Sequence, residues 1–410
     1  MAVMTTTEQA EQIQPVRALS GLQKAVVALG VSAMGVGMTI NFVVVAPLTR
    51  DAGLSELQVA AILAISALFY AWMTPIWGRW GDQFGRKRVM VASLMAAGIT
   101  NALFAMTLNT ALSGALVGMT AFFTLAAVRM LFGLLSPGIY PAAMGMMIEA
   151  TTPTTRAAGM GLIGTAMSIG SIVGPAGAAI LAPFGALAPL WGSIGFSIAC
   201  ALVLAIVLPP TRNRREPGVR PKPLSLFDPR IRPHVLFLFA YFVIVAAIQV
   251  TLAFLVADRY GLERADAVQA SGLAFAALAA AMIIVQFGYV QPRNPAPKKM
   301  LPRGLTAIVV GYAAAALAPG FAFLCGAFFL VGVGAALVVP AANALGSLSV
   351  PQEDQAGAAA VLSSAPPWAF VVGPLLGAIL YDLHPSAPLL VSAGLMAALC
   401  VYALATTARR

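Results

Sequence analysis

Charged residues are scarce in this 410-residue chain, at 9% of the sequence against 60% hydrophobic residues. A soluble domain carries about a quarter charged residues, so most of this chain's surface must face lipid. The three cysteines, Cys200, Cys325 and Cys400, all lie in apolar runs and leave an odd number, which predicts no disulfide framework and no metal site. The chain has no nucleotide-binding loop and no catalytic constellation. We therefore predict neither an enzyme nor a cofactor.

The sequence contains many long apolar runs. A helix that crosses a bilayer needs about 20 mainly apolar residues, and the sequence has stretches of this kind bounded by Pro, Gly, Asn or charge. They predict an all-α membrane protein with twelve transmembrane helices. The approximate limits of the predicted spans are 22–47, 57–78, 88–108, 114–147, 157–182, 187–208, 233–256, 267–289, 301–318, 320–349, 356–381 and 387–406.

Basic residues are concentrated in alternate loops between these spans. Lys and Arg accumulate on the cytoplasmic side of membrane proteins, whereas acidic residues contribute little to orientation. On the other side the loops keep only Arg50, Arg259 and Arg264. We predict that both termini are cytoplasmic, as short tails at 1–21 and 407–410. The net charge of +10 then requires no nucleic-acid partner.

The chain contains two halves with a repeated pattern. A Pro- and Arg-rich segment at 209–232 predicts a cytoplasmic linker between six-helix bundles at 22–208 and 233–406. Duplicated halves of this kind place a substrate site at their interface near the middle of the membrane. The repeated pairs, offset by about 199 residues, are LFGLLSPGIYP at 131–141 with LVGVGAALVVP at 330–340, and Gly174-Pro175 with Gly373-Pro374.

A glycine-rich segment with clustered charge connects the second and third predicted spans. Gly78 and Gly81 would let helix ends approach closely, and Gly85 would permit a left-handed turn. Asp82 can cap or pair near a helix N-terminus, where negative charge is favoured. On these grounds alone, an ordinary hairpin of the positive-inside kind explains the segment equally well.

The spacing within this segment resembles the signature of the major facilitator superfamily, G-x-x-x-D-x-x-G-R-K/R. Gly78, Asp82, Gly85, Arg86 and Lys87 match it. In that family the loop helps to hold the two halves in one conformation, so the resemblance implies that these residues take part in gating. It also implies the family's fold, an all-α membrane protein of two pseudo-symmetric six-helix bundles.

Arg129 is the only basic residue near the middle of a predicted span. An unneutralised Arg at the middle of a bilayer costs about 3 kcal/mol or more, so we expect it to face a cavity. With Gly133 it resembles the R-x-x-x-G stretch of the family's fourth helix, which implies proton coupling or substrate handling. A snorkelling Arg, or one bonded to backbone carbonyls, remains the alternative. Glu149 and Arg156 frame the next cytoplasmic loop and predict an ion pair between helices.

The fifth predicted span contains Gly170, Gly174 and Pro175. Small residues at this spacing allow close helix packing, and that alone would explain them. The run also resembles the antiporter motif of the family's exporters, which favours efflux. The family motif commonly ends in two glycines, whereas this chain has Gly177 followed by Ala178.

A titratable acid is missing from the predicted cavity. None of the fourteen acidic residues lies at the centre of a span, and Arg129 has no obvious buried partner. Coupling through Asp82, Glu149 or Asp258, or through the charge of the substrate itself, stays open. Trp72, Trp77 and Trp80 are interpreted as interfacial anchors. The other polar candidates for the substrate or proton pathway are Asn41, Tyr70, Tyr140, Gln249, Gln286 and Asn343, although most such residues satisfy neighbouring helices.

The whole pattern resembles the drug and metabolite exporters among the twelve-helix proton antiporters of the superfamily. That resemblance implies a monomeric multi-pass protein of the bacterial cytoplasmic (inner) membrane, whose partners are lipid, a small-molecule substrate and protons. It would export a small organic compound, such as a drug in multidrug resistance or a siderophore-like metabolite, by alternating access. The alternatives are uptake or facilitated transport of an organic anion and, in another class, a membrane sensor that does not transport.

Overall fold

The computed structural model describes residues 19–151, 156–209, 225, 228–293, 295–351, 354, 358 and 361–408, and in these ranges the chain is helical with no strand. Helices satisfy their own backbone hydrogen bonds, which a segment surrounded by lipid requires. A π-helical turn, Gln286–Val290, extends α9 to Arg293. The helices are α1 (Gly21–Asp51), α2 (Glu56–Phe84), α3 (Arg86–Leu112), α4 (Gly118–Leu135), α5 (Ile139–Glu149), α6 (Arg156–Leu181), α7 (Ala188–Val207), α8 (Arg232–Tyr260), α9 (Arg264–Val285), α10 (Pro297–Ala316), α11 (Phe321–Ser347), α12 (Ala365–Leu383) and α13 (Ala387–Ala408).

Among the described residues, eleven helical stretches are long and apolar enough to cross a membrane. The predicted span 301–318 is the one that falls short, because its helix α10 begins with the basic residues Lys298, Lys299 and Arg303. α10 nevertheless packs against α11 and α13 like the other helices. The predicted all-helical membrane fold is confirmed.

The fourth predicted span, 114–147, is broken in the structure. α4 ends at Leu135 and α5 begins at Ile139, because Pro137 between them has no backbone N–H and disfavours helical backbone in the residue before it. Trp77 on α2 donates its indole Nε1–H to the carbonyl oxygen of Leu134 at 2.8 Å. Trp77 is therefore buried, and the prediction that it is an interfacial anchor was wrong.

Helix pairing repeats between the two halves, which confirms the internal duplication. In each half the first predicted span packs on the fifth, the third on the sixth, and the second on the fourth. The pairs are α1 with α6, α3 with α7 and α2 with α4 in the first half, and α8 with α12, α10 with α13 and α9 with α11 in the second. The domain boundaries remain predictions, since most of the 209–232 segment lies outside the described residues.

Equivalent glycines allow the close contact in each half. A Cβ atom at Gly174 would overlap the side chain of Thr39 on α1. A Cβ atom at Gly373 would lie 2.6 Å from the carbonyl oxygen of Val243 on α8. Gly170 lies equally tightly against the backbone of Ser32. The close packing predicted from these small residues is confirmed, since any side chain would separate the two backbones.

The two bundles contact each other near one of the two membrane faces of the protein, the one named the opposite face below. We call the face that carries Lys87 and Leu208 the basic face, and the face that carries Arg50, Asp258 and Tyr381 the opposite face; hydrogen bonds join the residues of each set. α1 and α2 of the first bundle share one hydrophobic cluster with the outer half of α8, where every residue from 250 to 256 is buried.

A second contact between the bundles lies between α6 and α9. A Cβ atom at Gly272 on α9 would lie 2.9 Å from the carbonyl oxygen of Pro175 and 3.0 Å from the backbone nitrogen of Ala179. The backbone of α6 therefore lies directly against Gly272, with the Cβ atom of Ala179 beside it. We call the combined contact between bundles near the opposite face the seam.

Candidate functional site

A cavity lies between the bundles, from the middle of the membrane toward the basic face. It has two lobes of about 510 and 410 Å³, each within the size range of small-molecule sites. We call them the arginine lobe, lined by Arg129, and the aromatic lobe, lined by Gln249 and several aromatic rings. The lobes adjoin each other, since both are lined by Met38, Met167, Phe242, Val339, Pro366 and Phe370.

Arg129 is the only charged side chain among the described residues that line either lobe. Its helix begins at Gly118 near the opposite face, so eleven residues of rise place it about 16 Å deep, near the middle of a ~30 Å hydrocarbon layer. Only 5% of Arg129 is exposed. Its guanidinium carbon lies 4.8 Å from the ring centre of Phe132 and 5.2 Å from that of Phe104.

Two amide side chains hold the guanidinium. Arg129 Nη1 donates to Oδ1 of Asn41 and to Oδ1 of Asn101, both at 3.2 Å. Asn41 is oriented for this contact because its Nδ2 donates to the carbonyl oxygen of Gly37 at 2.5 Å. The expectation that Arg129 lacks a buried partner was wrong. Sequence reasoning missed Asn101, although a lone Asn inside an apolar span is a signal of function in membrane proteins.

The other pathway residues predicted from the sequence line the cavity except Gln286, which lines neither lobe. Tyr70, Tyr140 and Asn343 lie in the arginine lobe and Gln249 in the aromatic lobe. The Tyr70 hydroxyl lies 3.6 Å from the sulfur of Met34. Their roles remain predictions, because their position in the wall gives no contact with a substrate.

The aromatic lobe was not predicted. Tyr241, Phe275, Tyr312 and Phe328 line it around Gln249, and the rings of Phe275 and Phe328 meet edge to face at 6.0 Å. Aromatic residues are common in apolar spans, so their sequence positions alone do not distinguish a cavity wall from packing between helices.

The glycine-rich segment between α2 and α3 lies at the basic face. Arg86 pairs with Asp82 at 3.0 Å and with Glu149 at the end of α5 at 3.2 Å. Lys87 donates to the carbonyl oxygen of Leu208 at the end of α7. Gly85 has a φ of 95°, which confirms the predicted left-handed backbone. These contacts lie within the first bundle, and their role in gating remains a prediction.

The glycine that permits a close contact in this region lies on α5, whereas the sequence had predicted close contacts at Gly78 and Gly81. A Cβ atom at Gly78 or Gly81 would meet only an ordinary contact at 3.8 Å, so the close approach expected there is absent. A Cβ atom at Gly145 on α5 would instead overlap the guanidinium of Arg86. The side chain of Arg156 lies outside the described residues, so its predicted pair with Glu149 is untested.

A cluster of polar side chains joins the bundles at the opposite face. Arg50, at the end of α1, forms ion pairs with Asp258 on α8 and with Glu56 on α2, the latter at 3.3 Å. The Tyr381 hydroxyl donates to the other carboxylate oxygen of Asp258 at 2.6 Å. We call these four residues the seam cluster. The sequence had suggested Asp258 as a coupling candidate but had not predicted its contacts with Arg50 and Tyr381.

A sequence model of the Major Facilitator Superfamily matches residues 26–319 and 296–410 of the chain. The chain belongs to the Major Facilitator Superfamily. The repeated helix pairing described above is thus the arrangement of a superfamily member.

Among curated relatives, Multidrug resistance protein 1 of Bacillus subtilis is 28% identical over 193 residues, which are 47% of this chain and 46% of that protein. The match thus spans about half the length of that relative. Among solved structures, a mutant of the nucleoside transporter NupG has a TM-score of 0.73 at 11% identity, covering 93% of this chain and 99% of that one. The human organic anion transporter MFSD10 has a TM-score of 0.65 at 21% identity, covering 95% and 100%. Structural likeness at these identities shows the superfamily fold alone.

Proposed function

We propose that the chain is a secondary active transporter that exports a small organic compound across the cytoplasmic membrane by alternating access. One observation carries the proposal: among the described residues, a cavity between two bundles holds a single buried cation at mid-membrane and is closed at the opposite face. The multidrug resistance relatives support the direction of transport.

The orientation supports loading from inside the cell. By the positive-inside tendency, the basic face is the cytoplasmic one. The cavity would then be reached from the cytoplasm in this conformation, as an exporter needs before substrate binds. The protein would release substrate after the seam cluster separates at the opposite face and the cavity closes at the basic face, near Arg86. The cavity lies within one chain, so a monomer suffices.

Proton antiport is the coupling that we propose. No carboxylate lines either lobe among the described residues, so the proton would bind outside the cavity. Asp82 and Glu149 at the basic face and Asp258 in the seam cluster are the candidates, because each is a carboxylate paired with an Arg.

The export proposal is tested in a strain that lacks the transporter. We expect the deletion to raise sensitivity to some organic compounds, or to retain a metabolite inside the cell. Wild-type protein should restore efflux and Arg129→Ala should not. Arg303→Ala, which changes an exposed Arg on α10, is the matched control. Unchanged intracellular and extracellular pools would reject export.

A second candidate is facilitated movement of an organic anion, which the carboxylate-free lining favours. Counterflow of the identified compound in inverted vesicles, with and without an imposed pH gradient, separates the two. Exchange that depends on the gradient supports antiport. Exchange at the same rate at all gradients rejects antiport and supports facilitated movement.

A further inference from the structure

Two buried polar atoms in the cavity wall have no hydrogen-bond partner among the described residues. One is Nε of Arg129 in the arginine lobe, a donor, and the other is Oε1 of Gln249 in the aromatic lobe, an acceptor. Leaving a buried donor or acceptor unsatisfied is costly, and more so for a charged group. Polar atoms left free in a cavity wall are the groups that a complementary ligand satisfies.

We propose that the substrate is an amphipathic organic acid that fills both lobes, with its anionic group at Arg129 and an aromatic body carrying a hydrogen-bond donor at Gln249. This inference rests on the proposed function, because it takes the cavity to be the substrate site. It adds the chemical class of the substrate and a second recognition residue.

The arginine lobe selects for negative charge. The hydrogen-bond partners of Arg129 are the neutral oxygens of Asn41 and Asn101, which orient the guanidinium without neutralising it. Phe104 and Phe132 stabilise the cation through their ring faces but supply no counter-charge. A carboxylate supplies the missing counter-charge and accepts from the free N–H in a charge-assisted bond. A cationic ligand would meet repulsion and no carboxylate in the described wall.

The aromatic lobe selects for a flat ring with a donor. Phe275 and Phe328 line this lobe and pack edge to face on each other, and an aromatic ligand could pair with such rings in offset or edge-to-face geometry. Gln249 Oε1 is the free acceptor in this lobe. A site with an unpaired buried acceptor discriminates strongly against an analogue that lacks the donor. A phenolic O–H or an aryl amide N–H meets this requirement.

The proposal places one molecule across both lobes because the lobes adjoin each other and share wall residues on both bundles. Met38 and Met167 come from the first bundle, and Phe242 and Phe370 from the second. A ligand that spans the lobes therefore contacts both bundles at once. The distance between its acid and its donor sets how well it fits.

Binding to the purified full chain in nanodiscs tests this inference without any requirement for transport. The probes are 4-hydroxyphenyl-alkanoates with methylene chains of increasing length, their primary amides, which lack the charge, and their methyl ethers, which lack the donor. Isothermal titration calorimetry should show the best-fitting acid binding at least about tenfold more tightly than its amide and its ether.

Two substitutions should remove the two preferences separately. Arg129→Gln should abolish the preference for acid over amide, and Arg129→Lys, which keeps the charge, should retain part of it. Gln249→Leu should abolish the preference for phenol over methyl ether and leave the preference for acid. Gln269→Leu on α9, outside both lobes, is the control and should change neither.

Three outcomes would overturn the proposal: no acid of the series binds, the amide or a matched amine binds as tightly as the acid, or the preference for acid survives Arg129→Gln. A loss of binding counts only if the variant keeps the elution profile of the folded protein, and Arg129→Lys provides the second measurement. Failure of export is distinguishable. Selective binding of acids without efflux rejects the export proposal and keeps the proposed substrate class. Efflux of neutral or cationic compounds alone keeps the export proposal and rejects the substrate class.

Discussion

Arg50 of the first bundle and Asp258 of the second form an ion pair across the seam, 208 residues apart in sequence. The pair joins the bundles beyond the end of the cavity. Any opening at the opposite face must separate the two side chains. The pair therefore stabilises the closed arrangement specifically, in contrast to the contacts of Arg86, which lie within one bundle.

Asp258→Asn should weaken the closed seam. Exposed and half-exposed ion pairs contribute about 0.2–1 kcal/mol, so the open population should rise by up to about fivefold. The measurement uses Val256→Cys, a position fully buried in the seam, in a chain whose three native cysteines are replaced. A maleimide should label Cys at this position faster in the Asp258→Asn protein in nanodiscs.

The matched control for this experiment is Asp382→Asn, which removes an exposed carboxylate at the same face next to Tyr381. It should leave the labelling rate unchanged. Equal acceleration by both variants would show that net charge, and not the ion pair with Arg50, sets the rate.

Gly170→Ala should destabilise the fold, because the added methyl group would overlap the backbone of Ser32 on α1. Overpacking of this kind costs about 1–3 kcal/mol. Thermal unfolding in nanodiscs should show a lower Tm. Gly177→Ala on the same helix meets nothing within 4 Å and should leave the Tm unchanged or raise it slightly, since Ala favours helix. Equal effects at the two positions would contradict the close packing of α1 on α6.

Trp77→Phe should lower stability by at least about 1 kcal/mol, because it removes the indole donor from the carbonyl of Leu134 at the end of α4. Unfolding measured by circular dichroism in mixed micelles reports the loss. Trp80→Phe, on the same helix and more exposed, is the control and should cost less. If both variants lose the same stability, the bond to Leu134 contributes nothing specific.

Arg230→Gln should raise the pKa of Asp228. Hydrogen bonds from Arg230, at 2.8 and 3.1 Å, hold the pKa of this carboxylate below its ordinary value. A depressed folded pKa adds stability at pH values above the unfolded pKa of about 3.9, and this stability is lost as the pH falls through the folded value. Carboxyl-detected NMR titration of aspartate-labelled protein measures the shift. Arg232→Gln is the control, and an Asp228 titration that stays the same in Arg230→Gln would contradict the assignment.

Local patterns were enough to predict the helices and the position of Arg129. Apolar length determines where a span lies, because the bilayer has a fixed thickness. Polar residues inside such spans are costly, so they line cavities or pair with one another. That is why Arg129, Asn41 and Gln249 could be placed in the cavity from sequence alone.

Contacts between distant segments could not be predicted in this way. Nothing near Arg50 indicates that Asp258 will be its partner, since each is an ordinary residue at a helix end. The partner Asn101 lies on a third helix, and its register relative to Arg129 depends on packing. Glycine raises the same difficulty: Gly78 and Gly145 look alike in sequence, but only Gly145 lies against a side chain that a methyl group would displace.

The contact of Gly272 with the backbone of α6 bears on how the bundles could turn. Side chains that interlock as ridges in grooves resist rotation, because each step forces them out of their grooves. At Gly272 there is no side chain on α9 to interlock with α6, so this steric barrier to rotation is small. The crossing of α6 and α9 at Gly272 therefore offers little steric resistance when one bundle rotates against the other. A larger side chain at position 272 would clash with α6 and hinder that rotation.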